Sequence, residues 1–172
     1  MKTFLGYKRP DGRAGIRNHV LILPASMCAS DVTRMVAAQV KNTVTFNNQL
    51  GCSQIPRDMQ YIMDVMAGYA ANPNVYGTVL VTLGFENCQM DLLEAAVREK
   101  TNKPLAKLII QEEGGTIRTV EKATRAAMKM VQEASLQKRE ECPVSDLIVA
   151  TECGGSDPTS GLAANILVGE MS

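Results

Sequence analysis

Four cysteines stand just beyond apolar runs, Cys28, Cys52, Cys88 and Cys153, and three glutamates occupy comparable places, Glu86, Glu112 and Glu152. Thiolates are soft ligands that select iron or zinc, and neighbouring carboxylates either complete a mixed metal site or serve as acid and base. One such cysteine would be an ordinary small apolar residue; four in equivalent places argue for a site. Spacing alone does not say which thiols ligate. Residues 152–161 add a second signal. Gly154 and Gly155 free the backbone to turn its amides inward, and Ser156 and Asp157 precede a helix start at Pro158, an arrangement that attracts a carboxylate. Gln49, in the stretch before Cys52, is a further candidate for holding substrate. The lone histidine, His19, opens an apolar run and reads as structural, and with one histidine a three-histidine zinc site is impossible within the chain. Neither a GxxxxGK[ST] nor a GxGxxG run occurs, so no nucleotide is expected.

Five lightly charged apolar runs, residues 19–25, 43–47, 78–83, 105–111 and 146–151, read as buried parallel strands. Helical spacing separates them over residues 30–40, 56–71, 90–99 and 116–139, the first behind a Ser30/Asp31 cap. This alternation predicts an α/β fold: a three-layer, doubly wound parallel sheet of about five strands in the flavodoxin-like or Rossmann-like order 2-1-3-4-5. Such sheets bind ligands beyond the carboxyl ends of their strands, where all four cysteines then lie. Cys142 falls at the opposite edge as a surface or boundary thiol, and Pro10-Asp11-Gly12-Arg13 reads as a surface turn.

The 172 residues fit a single domain, with residues 1–18 as an N-terminal arm and 158–172 as a helix leading to a missing domain. Eighteen basic residues balance eighteen acidic ones, which speaks against nucleic acid or an anionic membrane as partner. No run is long enough to span a bilayer and no signal segment opens the chain, so it reads as cytoplasmic. Apolar Leu162, Ile166 and Leu167 in the final helix lead to the expectation of a homo-oligomer.

Residues 6–19, GYKRPDGRAGIRNH, and residues 151–161, TECGGSDPTSG, together resemble the altronate and galactarate dehydratase family, whose large-subunit group includes sulfolactate sulfo-lyase. The likeness continues through residues 47–54, 72–75 and 111–116. It implies a lyase that removes a proton beside a carboxylate and water from the next carbon, leaving a 2-keto-3-deoxy acid, with iron(II) as the metal. It also implies that the remainder of the enzyme and a small substrate-covering domain or subunit complete the site. Sulfolactate as substrate, or a non-catalytic scaffold, are the competing expectations. Family members often carry a histidine shortly before the Gly-Cys pair; here Asn47-Asn48-Gln49-Leu50 precedes Gly51-Cys52.

Overall fold

The computed structural model describes residues 2–152, 154–155 and 157–171. The elements run β1 (Thr3–Lys8), β2 (Ala14–Gly15), β3 (His19–Pro24), α1 (Met27–Gln39), β4 (Thr43–Val44), α2 (Pro56–Ala71), β5 (Val75–Thr82), α3 (Met90–Lys100), β6 (Leu105–Ile109), α4 (Thr116–Leu136), β7 (Glu140–Pro143) and α5 (Ala164–Met171). β3 to β6 form a parallel sheet in the order β4-β3-β5-β6, with pairs such as Leu21↔Val44, Ile22↔Val79 and Leu80↔Lys107. Alternation along the strands supplies two cores. Leu21, Leu23 and Leu80 face Met59, Ile62, Met63 and Met66 of α2 and Leu93 and Val97 of α3. Val20, Ile22, Val79 and Val81 face Val32 and Val36 of α1 and Ala123, Ala127 and Met130 of α4. The three-layer arrangement is therefore present, with α1 and α4 on one face and α2 and α3 on the other.

The fifth parallel strand is not. Residues 146–151 end a short 3-10 turn and then run without regular structure, with Ile148 and Val149 exposed, so β6 stays the sheet edge. The cause lies upstream. Residues 140–143 pair antiparallel with β1, from Thr3↔Pro143 to Gly6↔Glu140, building a second sheet, β2-β1-β7. This pairing carries the chain to the arm instead of back along β6, and the arm is an integrated element. Cys142 lies inside it, fully buried rather than at a surface.

Two helix starts also differ from the sequence reading. α1 begins at Met27 rather than Ser30, because the Met27 amide donates to Leu50 O (3.0 Å) and Ser30 is already engaged with Asn48. α5 begins at Ala164, preceded by turns from residue 158, and buries none of its described residues. The turn at residues 10–13 is as expected, closed by Arg9 N–H on Arg13 O (2.8 Å).

Candidate functional site

Beyond the carboxyl ends of β3, β4 and β5 three loops are bonded into one surface. The carbonyls of Leu50, Gly51 and Cys52 accept from the amides of Met27 (3.0 Å), Cys88 (3.1 Å) and Asn87 (3.3 Å). Gly51 has φ +94°, and a Cβ there would lie 2.2 Å from Ala25 O, so only glycine lets this loop rest on the end of β3. Buried Asn48 locks the same loop: its Nδ2 donates to Pro24 O (3.2 Å) and Ala25 O (3.0 Å), while its Oδ1 accepts from Leu50 N–H (3.0 Å). The Gln54 side chain accepts from Gly51 N–H (2.8 Å), and Asn87 Nδ2 donates to Gln54 O (3.1 Å).

This bracing sets the thiols in distinct environments. Cys28, exposed in the first turn of α1, has its Sγ 3.9 Å from Sγ of half-buried Cys52. The hydrogen bond and charge of Cys28 push the Cys52 thiol up, since two sulfurs this close do not both ionise easily. Cys88 is fully buried, and burial, with the Glu86 charge second, pushes its thiol up to about 12. Without a metal beside it the thiol therefore stays protonated near neutrality, and it lies beneath the loops rather than open to solvent. Cys153 lies outside the described residues.

The three carboxylates also diverge. Glu86 is buried, with Oε1 accepting from Ser26 Oγ (3.2 Å) and Leu83 N–H (2.6 Å) and Oε2 from Gly84 N–H (2.5 Å), so it braces the loop after β5 against the start of α1. Glu112 is exposed on the turn after β6, which the Gln111 amide ties to Leu83 O (3.1 Å), while adjacent Glu113 pairs with Lys122. Glu152 is exposed in the C-terminal segment. There it lines, with Gly154, Gly155, Ser160 and Asn165, an open hollow built entirely from that segment. Asp157 closes a turn rather than capping a helix: its Oδ1 accepts from Thr159 N–H (2.6 Å) and Oγ1 (2.5 Å), which holds its carboxyl below the usual range. Gln49 is exposed in the loop before Cys52, and Ser156 lies outside the described residues.

Cys28 and Cys52 thus share one surface with Cys88 and Glu86 buried beneath it, Glu112 borders it, and Glu152, Gly154, Gly155 and Asp157 belong to a separate segment. Among the described residues no three His, Cys, Asp or Glu side chains converge as a metal site. The braces Ser26, Asn48, Gln54 and Asn87 were not singled out from sequence. The density of amides between Asn47 and Gln54 was the available signal, since buried amides at strand ends satisfy orphaned backbone groups.

Helix ends complete the electrostatics. α2 and α3 carry Asp58 and Asp91 in their first turns, whereas α1 and α4 carry no acid there and enter on the same face of the sheet. The buried Glu86 carboxylate already meets Ser26 at the start of α1, so it is chiefly the N-terminal dipole of α4 that favours an anion at this edge.

Residues 6–135 match the family described as D-galactarate dehydratase/altronate hydrolase, second domain, and residues 144–172 match D-galactarate/altronate dehydratase, C-terminal. The chain is 38% identical over 171 residues to (2R)-sulfolactate sulfo-lyase subunit beta of Chromohalobacter salexigens, covering 98% of the chain and 42% of that protein. It is 30% identical to altronate dehydratase of Bacillus subtilis, covering 99% of the chain and 36% of that protein. It is 29% identical to galactarate dehydratase (L-threo-forming) of Escherichia coli, again covering 99% and 36%. The chain therefore spans about two fifths or less of the length of these relatives.

Proposed function

Because the chain belongs to the D-galactarate dehydratase/altronate hydrolase family, we propose that it supplies part of the active edge of a lyase that removes water from a sugar acid. The product is a 2-keto-3-deoxy acid. The observation that carries this reading is the single surface joining Cys28, Cys52 and the first turn of α1, in a chain whose relatives are named as dehydratases and a sulfo-lyase. The substrate carboxylate sits against the amides opening α4, where the dipole stabilises its charge. Gln49 offers an exposed amide to the substrate hydroxyls, and Gly154, Gly155, Ser156 and Asp157 hold it from the C-terminal segment. Glu112, exposed beside the 83–86 loop, moves protons, with Glu152 as the second carboxylate. Glu86 keeps its place among the catalytic candidates as a positioning residue, because both its oxygens are occupied by loop donors.

Iron(II) fits this surface only in part. The Cys28–Cys52 separation suits two sulfurs on one metal, which in a tetrahedral thiolate site stand about 3.8 Å apart, and further ligands would have to come from Cys88, buried beneath them, or from Cys153. The rest of the enzyme and a covering domain or subunit exclude water from the edge, and exposed Leu162, Ile166 and Leu167 mark where that remainder or a second copy packs.

A second reading, elimination of sulfite from sulfolactate, is favoured by the 38% identity to the sulfo-lyase subunit. A protein of the relatives' full length assayed on altronate, galactarate and (2R)-sulfolactate separates the two. A 2-keto acid formed from a sugar acid without sulfite supports the first, and sulfite release from sulfolactate supports the second. Turnover of none overturns both.

A further inference from the structure

We propose that Cys28 and Cys52 form a dithiol that hydroperoxides oxidise to a reversible disulfide. The two sulfurs are 3.9 Å apart, with the Cys28 thiol directed at Cys52. A disulfide requires about 2.05 Å, so roughly 2 Å of approach is needed. The two positions share that approach unequally. Cys28 is fixed in the first turn of α1, whereas Cys52 lies in a loop outside any helix or strand, where its own carbonyl takes one long bond from the Asn87 amide (3.3 Å). Rotation of two cysteine side chains and a small loop adjustment close the gap without disturbing the sheet. Access is also unequal: Cys28 is exposed and meets the oxidant first, while Cys52 is half-buried and waits behind it as the resolving thiol.

The other described cysteines are unsuited. Cys88 lies beneath the same surface and is fully buried. Cys142 is buried in the antiparallel sheet, its Sγ directed at Glu140 O (3.5 Å). The pair is therefore selective within the described part of the chain.

The chemistry balances with a hydroperoxide as the named oxidant. The Cys28 thiolate attacks the peroxide O–O bond and becomes a sulfenic acid, and water leaves when the oxidant is hydrogen peroxide. Cys52 sulfur then attacks the sulfenyl sulfur, the S–S bond forms and a second water carries away the hydroxyl and the thiol proton. In sum two thiols lose two electrons and two protons to one peroxide, giving one disulfide and two waters. A dithiol reductant reverses it. Closure ties the start of α1 to the loop after β4 and removes both sulfurs from the edge. Its effect on turnover rests on the function proposed above, but the crosslink itself does not.

Trypsin places the thiols in separable peptides: Cys28 in residues 18–34, Cys52 in 42–57, Cys88 in 58–98, and Cys142 with Cys153 in 140–172. The chain is treated with hydrogen peroxide, alkylated without reduction and analysed by mass. The expected result is a loss of about 2 Da with peptides 18–34 and 42–57 joined, restored by dithiothreitol. Cys28→Ser and Cys52→Ser each abolish the crosslink and Cys142→Ser preserves it. A gain of about 32 Da on peptide 18–34 without a crosslink overturns the proposal. So does a link to peptide 58–98 or 140–172, a link between two chains, or no reaction. In the full-length lyase, activity lost in proportion to the disulfide supports the switch, while full activity in the oxidised protein overturns the switch and leaves the crosslink standing.

Discussion

The two edges of the parallel sheet are built on opposite plans. At the amino edge, cations of the arm are spent on backbone carbonyls. Buried Arg9 donates to Pro73 O (2.7 Å), Arg17 O (3.0 Å) and the Gln137 side chain (3.4 Å), and Arg13 donates to Ala71 O (2.7 Å). Lys103 reaches Asn72 O (2.6 Å) and Ala70 O (3.3 Å), Asn18 reaches Ala134 O (2.9 Å), and Arg139 lies over the Tyr7 ring at 5.0 Å. These contacts gather the carbonyl ends of α2 and α4, where positive charge suits the helix dipoles. At the carboxyl edge the braces are neutral amides and one carboxylate, and Cys28 and Glu112 are left exposed. Residues 6–19 are therefore a fastener, and the loops proposed to carry the chemistry lie at the other end of the strands.

Substitutions at the two edges should separate stability from chemistry. Arg9→Ala should have the largest effect, a loss of about 3 kcal/mol in denaturant unfolding, since it strands the buried Pro73 carbonyl and removes the part-buried bonds to Arg17 and Gln137 that tie three segments together. A loss no larger than that of Cys28→Ser would break the contrast. Gly51→Ala should cost about 2 kcal/mol from the forced positive φ and the contact with Ala25 O, and by hydrogen exchange the opening should stay within the loops bearing Cys28, Cys52 and Cys88. Exchange spreading to the arm would show that the edges are one cooperative unit. Glu86→Gln should cost about 1–2 kcal/mol, because an amide accepts from Ser26 and Leu83 or from Gly84 but turns its own N–H toward the remaining donor. In a full-length lyase it should lower turnover while leaving the amino edge protected. Unchanged turnover would assign Glu86 to folding alone.

What could be read from the residues follows the same division. Periodicity was sufficient for β3, β5, β6 and all of α2, because residues such as Met59, Ile62, Met63 and Met66 answer to one local rule, burial on a sheet. The run at 146–151 obeyed that rule equally well and misled, since β7 is decided by a non-local pairing between Glu140–Pro143 and Thr3–Gly6 that no local pattern announces. Convergence of Cys28, Cys52 and Cys88 was legible from the topology of parallel sheets. Their inequality was not, because it depends on whether each sulfur lies in a first helical turn, in a loop or inside the core.

Lys103 provides the finest test of the amino edge. Its ammonium is buried, and burial first, then the neighbouring charges of Arg9 and Arg13, pull it down to about 7, with only Asp11 opposing them. In the unfolded chain the same group stays protonated up to its ordinary value of 10.5. Between these values the unfolded state binds more protons, so stability should rise with pH from about 7 to about 10.5 and lie flat, for this group, below that window. One proton is worth about 1.4 kcal/mol per pH unit at most. Half-titration at the lower end, and the two carbonyls that favour the ammonium, reduce the expected gain from pH 7 to 8 to about 1 kcal/mol or less. The Cys88 thiol, held up to about 12, contributes with the opposite sign above pH 9, which makes the difference between the native chain and Lys103→Met the quantity to measure. That difference should grow as pH rises from 7 to 8. A constant difference would mean that Lys103 keeps its proton in the fold, and that the carbonyl ends of α2 outweigh the burial and repulsion around it.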